Sequence, residues 1–407
     1  MHTWPWWNLT GGSRHSIIHT GDLGVEESGV SWRHLTSNLT WLTHWGLYND
    51  KTECCGWRAA HRPGKDVVIP VYISAGHFRK FGFHKSPLHP GYTQPPQRST
   101  SFFFAGRICG DRKDPDIGVW PNCRGIGEDY SANVRQKVHY FHHNRTGYLI
   151  QPRTHSYEQR LRSSQFCLAP LGGGHGQRQI IVGLMGCIPV TIGDFVHQPF
   201  EPQLDWSAFS VAVDEAHIPT LHDRLSSIVA GDQFASMQKA LACAAQHLVY
   251  SSITGGFLGD EGKYDAFETT LEVLRAMHDH PDVPPEKLQD VDPEFRMFMH
   301  CGGVTEGGTA TEPQLAGRDE DTEEVQSPSP QLLSSTPLDL RLRSPAKLVA
   351  NYSYGLCSHS FIDEQQGGIR PSCSDCLMGS SNTHGIPGGA ACCGSRGRLE
   401  RCYRSWH

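Results

Sequence analysis

The sequence is poor in long apolar runs, in charge and in asparagine. Its longest apolar stretch, Ile180 to Ile192, is interrupted by Gly183, Gly186 and Pro189, so no segment reaches the roughly twenty apolar residues of a membrane helix. Charged residues make up 19% and hydrophobic residues 38% of the chain. Both values are low for a compact globule, so part of the chain is expected to stay unpacked. A formal net charge of -6 gives no electrostatic reason to expect nucleic acid as a partner. The first residues, MHTWPWWNLTGG, have neither the basic flank nor the apolar centre of a signal peptide, so the chain is expected either to be soluble or to lack its true start.

What is present points elsewhere. Of eight asparagines, four (Asn8, Asn38, Asn144 and Asn351) stand in Asn-x-Ser/Thr sequons, and there are fourteen cysteines. Together these point to the secretory pathway. The 24 histidines are expected to protonate in part in a mildly acidic compartment, making the surface less acidic there.

A chain of 407 residues is expected to form two or three units. In residues 1 to 155 short apolar segments, SIIHTGDLG, DVVIPVYIS and STSFFFAGRI, are bounded by turn residues and predict buried strands. ANVRQKVHYFHH has helical spacing at Val134, Val138 and Phe141. Residues 156 to 300 alternate more clearly: strand QFCLAP, a loop, helix QRQIIVGLMG, strand CIPVTIG, strand FSVAV, helix IPTLHDRLSSIV with Leu221, Leu225 and Ile228 on one face, and helices from Phe234 and from Tyr264. That alternation predicts an α/β fold with an open parallel sheet. Residues 301 to 345 predict a disordered acidic Pro/Ser-rich linker, and 346 to 407 a Cys/Gly-rich tail. Cys373, Cys376, Cys392 and Cys393 in that tail fit zinc poorly, because the second pair lacks a two-residue spacer. Cys187 predicts core, Trp206 and Phe209 predict packing of the second half, and Cys54, Cys55, Cys109 and Cys123 are disulfide candidates with pairing open.

The stretch FCLAPLGGGHGQRQ carries the chemistry. A strand ends in Pro170, a loop of Gly172, Gly173, Gly174, His175 and Gly176 follows, and a helix begins near Gln177, which gathers backbone N–H groups at the carboxyl edge of a sheet. Arg178 lies in the first helical turn, against the dipole preference there, so an anion such as a diphosphate would offset it. The bland alternative, glycines that only allow a tight turn beside a solvated arginine, stays open on spacing alone. The dinucleotide pattern is excluded because Gln177 stands where it needs glycine, and no Gly-Lys-Ser/Thr follows as a triphosphate loop requires.

The run from Phe166 to Leu221, with Gly-Cys-Ile-Pro-Val, Pro-Phe, Asp-Trp and Phe-Ser-Val after the glycine loop, closely resembles the exostosin family, glycosyltransferase family 47, and green-algal members most of all. PWWNLTGGSRHSIIHTGDLG, LTHWG, RPGKDVVIP and FFFAG extend the resemblance weakly upstream. It implies a GT-B fold, two Rossmann-like halves with a cleft between them, an acceptor-side half followed by one that holds the donor. It implies inverting transfer in the Golgi of a sugar from a nucleotide-sugar donor, a UDP-sugar most often, to a polysaccharide or glycoprotein glycan acceptor, without a metal cofactor. The alternative it leaves open is an inactive glycan-binding protein or a heteromer partner of a related transferase; homomers are also open.

Carried onto this chain, the resemblance makes Gly172, Gly173, Gly174, His175, Gly176 and Arg178 donor-binding residues, with Asp194 the nearest further carboxylate to face the donor. Asp22 in HTGDLG becomes the candidate base that deprotonates the acceptor hydroxyl. Two departures stand out. Gly21 replaces a histidine of the family pattern, and Ile181 replaces a glutamate suited to the ribose hydroxyls, an exchange that removes the acceptor atoms for those bonds. Relatives also carry an anchor, a stem and a first strand ahead of PWWNLTGG, which this chain is expected to lack.

Overall fold

The computed structural model describes residues 5 to 303, except 81, 83, 84, 90, 93 to 96, 126 to 129, 175, 255, 257 and 258. The linker and tail expectations, including Cys373, Cys376, Cys392 and Cys393, lie almost wholly outside the described residues.

Two parallel sheets organise this region. The first has three strands in the order β1 (Ser16–His19), β2 (Thr40–Thr43) and β3 (Val67–Val68). Pro70 lacks the N–H that a longer ladder would need, and β3 is only two residues long. The second sheet has five strands in the order β5 (Tyr148–Gln151), β4 (Thr100–Ala105), β6 (Ser164–Leu168), β7 (Ile188–Ile192) and β8 (Val211–Val213). Register follows the apolar runs: Phe166 lies opposite Ile188, Leu168 opposite Val190, and Val190 opposite Val211. All five residues of β7 are buried, as expected of a parallel strand covered on both faces.

The change of sheet falls between Val68 and Thr100. STSFFFAGRI therefore pairs as β4 with β6 and belongs to the second sheet, although it lies well before residue 155, the expected boundary. Phe102, Phe103 and Phe104 are essentially inaccessible, and burying those three rings is what draws β4 into the larger sheet. β1 departs in another way: it is an edge strand, and Ile18 is 64% exposed, so SIIH is a strand but not a buried one.

Helices cover the second sheet. Arg178–Leu184 is buried at every position after Arg178, and Gln233–His247 packs over it with Leu241 near Gly183, where an added Cβ would lie 3.5 Å from Leu241 Cδ1. Leu221–Ala230 buries Leu221, Leu225 and Ile228, the predicted face. Ala266–Asp279 is capped by Asp265, which accepts from the N–H groups of Phe267 and Glu268. Trp206, Phe209 and Cys187 are core residues.

Four disulfides join described residues: Cys54–Cys55, Cys109–Cys123, Cys167–Cys187 and Cys243–Cys301. The third ties β6 to the residue just before β7. Of the sequons, Asn144 is exposed in the turn before β5, whereas the Asn38 side chain donates to Gly11 O at 3.1 Å.

The sheets are joined by a small second core of Trp45, Leu47, Trp57, Ala132 and Leu171. Gly46 to Tyr48, after β2, lie against Phe195 to His197, after β7. Tyr48 N–H donates to Phe195 O and His197 N–H to Gly46 O, both at 3.0 Å, and Leu47 and Val196 pair as an antiparallel bridge. A Lys51–Glu215 ion pair of 2.6 Å, shielded on both sides, reinforces the join.

Candidate active site

A cleft of about 710 Å³ opens over the carboxyl ends of β4, β5 and β6 and reaches the turn after β1. The glycine loop forms its floor. Gly172 N–H donates to Gly174 O at 3.0 Å, so that amide is spent inside the loop instead of facing a ligand. An added Cβ at Gly174 would lie 2.6 Å from Asp22 O, and one at Gly176 3.0 Å from Pro170 O. These two glycines thus let the loop press against its own strand and against the β1 turn. Gly173 faces open space. His175 lies outside the described residues.

Arg178 lines the cleft, half-buried, with its guanidinium 4.9 Å above the Phe104 ring and Nη1 donating to Tyr157 Oη. The Cβ that Gly106 lacks would collide with Arg178 Nη2, so glycine at the end of β4 is what gives the guanidinium its place. The helix that begins at Arg178 is seven residues long and contributes little dipole of its own. Guanidinium groups supply the positive field instead.

Two of those arginines have no counterpart in the sequence expectations. Arg135 is 6% exposed; its Nε and Nη2 donate to Leu171 O at 3.0 and 2.6 Å, and its Nη1 to Arg107 O at 3.0 Å. It therefore fixes the first residue of the glycine loop to the end of β4. Arg107 and Arg135 both lie 4.8 Å from the Tyr130 ring. Burial pulls the Arg135 pKa down to about 10, Tyr130 opposing and Arg178 and Arg107 adding to the shift, so it stays charged at neutral pH. Among the described residues, Arg107, Arg135 and Arg178 form no ion pair with a carboxylate, and Asp22 is the one acidic side chain lining the cleft. A fourth lining arginine, Arg153, is paired with Asp114; the other three around one described carboxylate make a site that attracts anions.

The same question asked of Arg178 would have flagged the other two one by one, but not their convergence. Arg107 follows β4 directly in FAGR, at a carboxyl end, and Arg135 sits in the first turn of the helix Val134–His142, again against the dipole preference. The signal missing from the sequence is the left-handed run before that helix, Ser131, Ala132 and Asn133 with φ of 60°, 53° and 62°. None of the three is glycine, and holding them there costs conformational energy that the surrounding core must offset.

Asp22 reaches the cleft as expected. Burial, with the Glu27 carboxylate second, holds its carboxyl above the ordinary 3.8, which makes it a stronger proton acceptor than a free aspartate. Glu27 accepts from Leu23 N–H at 2.8 Å. Its carboxylate occupies the space that a side chain at Gly21 would fill, so the loss of the family's histidine goes together with a carboxylate placed beside Asp22. Ile181, 6% exposed, lines the cleft wall, where it offers no hydrogen bond.

Asp194 is not brought into this cleft. Its Oδ1 accepts from Glu215 N–H at 2.9 Å while its own N–H donates to Glu215 Oε1 at 3.2 Å, and it lines a separate cavity. The physical reason is the turn after β7, which carries Asp194 toward β8, away from β6.

The profile of the exostosin GT47 domain matches residues 1 to 228. A probable glycosyltransferase of Arabidopsis thaliana is 28% identical over 253 residues, covering 61% of this chain and 41% of its own length. A probable glucuronosyltransferase of Oryza sativa subsp. japonica is 27% identical over 253 residues, 60% of this chain and 53% of its own. A probable glucuronoxylan glucuronosyltransferase of Arabidopsis thaliana is 26% identical over 237 residues, 56% and 47%. The chain spans about half the length of the curated relatives it matches. With the profile covering more than half of its residues, and with the glycine loop and its arginine in one cleft, the chain belongs to the exostosin family, GT47.

Proposed function

We propose that this chain is an inverting glycosyltransferase that binds a nucleoside-diphosphate sugar, a UDP-sugar, in the arginine-lined cleft. The two parallel sheets would be the halves of a GT-B arrangement, with the acceptor arriving from the β1 side. The observation that carries the reading is that Arg107, Arg135 and Arg178 line one cleft with no carboxylate partner among the described residues. A diphosphate supplies the missing negative charge, and that charge grows on the leaving group as the bond from C1 to the β-phosphate oxygen breaks. Positive groups fixed in advance stabilise it best at that moment. Asp22 takes the proton from the acceptor hydroxyl, whose oxygen forms the new bond to C1 from the opposite face; UDP leaves with the electron pair.

The relatives' names make a glucuronosyl donor and a xylan acceptor the first pair to try. The four disulfides suit an oxidising lumen, and the proposed address is the Golgi; no helix among the described residues is long and apolar enough to cross a membrane. A second reading, an inactive glycan-binding or heteromer partner, is favoured by Gly21, which stands in place of the family's histidine, and by Ile181, which leaves the ribose without a carboxylate on that wall.

Calorimetric titration with UDP separates the two. Saturable binding is expected, weakened by Arg178→Ala by about tenfold to a hundredfold, the range for losing charge-assisted hydrogen bonds. Absence of saturable binding at millimolar UDP overturns the enzyme reading.

A further inference from the structure

The second cavity, about 530 Å³, lies where β7 and β8 end. Tyr48 and Phe195 stand at its rim, 39% and 45% exposed, with ring centroids 6.0 Å apart and nearly perpendicular. The His197 ring is 4.7 Å from Tyr48. Phe195 has a φ of 65°, in the left-handed region where a bulky side chain is disfavoured. Its backbone has little choice, because the Tyr48 N–H to Phe195 O and His197 N–H to Gly46 O bonds clamp it from both sides. A strained backbone thus holds a large apolar ring half in water, an arrangement that costs free energy and gains only the edge-on contact with Tyr48.

Inside the rim the lining turns polar, with Asp194, Gln198, Glu201, Ser207 and Arg224. One arginine against three carboxylates, Asp194, Glu201 and Asp214, is the wrong balance for a phosphate, and such polar groups are wrong for an apolar peptide. Flat rings at the edge and hydrogen-bonding groups behind them suit a carbohydrate chain, which offers a C–H face to a ring and hydroxyls to both donors and acceptors. Leu171 lies between this cavity and the loop of the arginine cleft. At Gly193, which lines it, an added Cβ would lie 3.1 Å from Leu171 Cδ1, and the Leu171 carbonyl is the group that Arg135 holds.

We propose that the Tyr48–Phe195 rim is a subsite for the acceptor, where a sugar unit of an oligosaccharide chain stacks beyond the unit that reacts. This rests on the transferase reading, and the experiment keeps the two apart. The full chain is applied to an array of xylan, glucan, mannan, galactan and glycosaminoglycan oligosaccharides, and UDP affinity is measured in parallel. Phe195→Gly removes the ring and gives the position the residue its φ favours; it is expected to lower glycan affinity by roughly tenfold, as does Tyr48→Ala, worth a stacking contact. Phe195→Tyr keeps binding, melting temperature does not fall in Phe195→Gly, and UDP affinity is unchanged in all three. Retention that is indifferent to Phe195→Gly, or no glycan retained by the parent chain, overturns the subsite. Loss of UDP binding in the parent chain together with ring-dependent glycan retention overturns the transferase reading and leaves the subsite standing.

Discussion

At the scale of single residues, the cleft sets Asp22 against its surroundings. Its carboxyl is raised by burial and by Glu27, so as the acting base it loses activity as pH falls through a value above the ordinary 3.8. The expected outcome for Asp22→Asn is a loss of transfer of about a hundredfold or more, the usual worth of a positioned base, with UDP affinity kept and the acid limb of the rate profile gone. Initial rates across pH check this, and a variant that keeps both rate and acid limb removes Asp22 from the mechanism. Much of this site was legible in the residues themselves: Asp22, Gly173, Gly176 and Arg178 line one cleft. Arg107 and Arg135 were not, because their convergence depends on the pairing of β4 with β6 and on three left-handed residues that look like ordinary helix-flanking sequence. Asp194 lines the other cavity and bonds Glu215, and the sequence could not decide its place because a carboxylate after a strand looks alike whether it faces a ligand or caps the next turn.

At the scale of elements, most strands declared themselves, including short β1, β3 and β8 inside apolar segments, but not all. β4, β6 and β7 and the helices after them follow the apolar pattern, whereas β2 (TWLT) and β5 (YLIQ) are four residues each, too short for periodicity to show. The helix Pro293–Met299 was also unforeseen; it is fastened by Cys243–Cys301, across 58 residues. Closing a loop of that size constrains the unfolded chain by about 4 kcal/mol in chain-entropy terms. The double variant Cys243→Ser with Cys301→Ser is expected to lose roughly 2 to 4 kcal/mol of stability in urea with UDP affinity unchanged, because none of the cleft residues touches this pair. A stability loss below 0.5 kcal/mol, on the order of an ordinary surface change, counts against a fastening role.

At the scale of the whole molecule, histidine behaves unlike the composition suggested. Burial lowers the pKa of His44, His61, His139 and His247 to about 4, so these four do not protonate with the surface in mild acid. Unfolded, each takes up a proton near its ordinary 6.5. Between those values the unfolded chain binds more protons, so stability is full above about pH 6.5 and is lost as pH falls toward 4. The slope is at most about 1.4 kcal/mol per pH unit for each histidine. Urea denaturation at pH 7.5, 6 and 5 should show falling midpoints, and flat midpoints would mean that these rings protonate in place.

The join between the sheets has a kinetic consequence. Spreading them apart would rupture the clamp at Gly46 to Tyr48 and expose the Lys51–Glu215 pair, so no clamshell motion is available at low cost. The cleft stays open on the side bordered by exposed Arg153 and half-buried Thr154, so under the proposed function donor and product would pass on that side while the sheets stay joined.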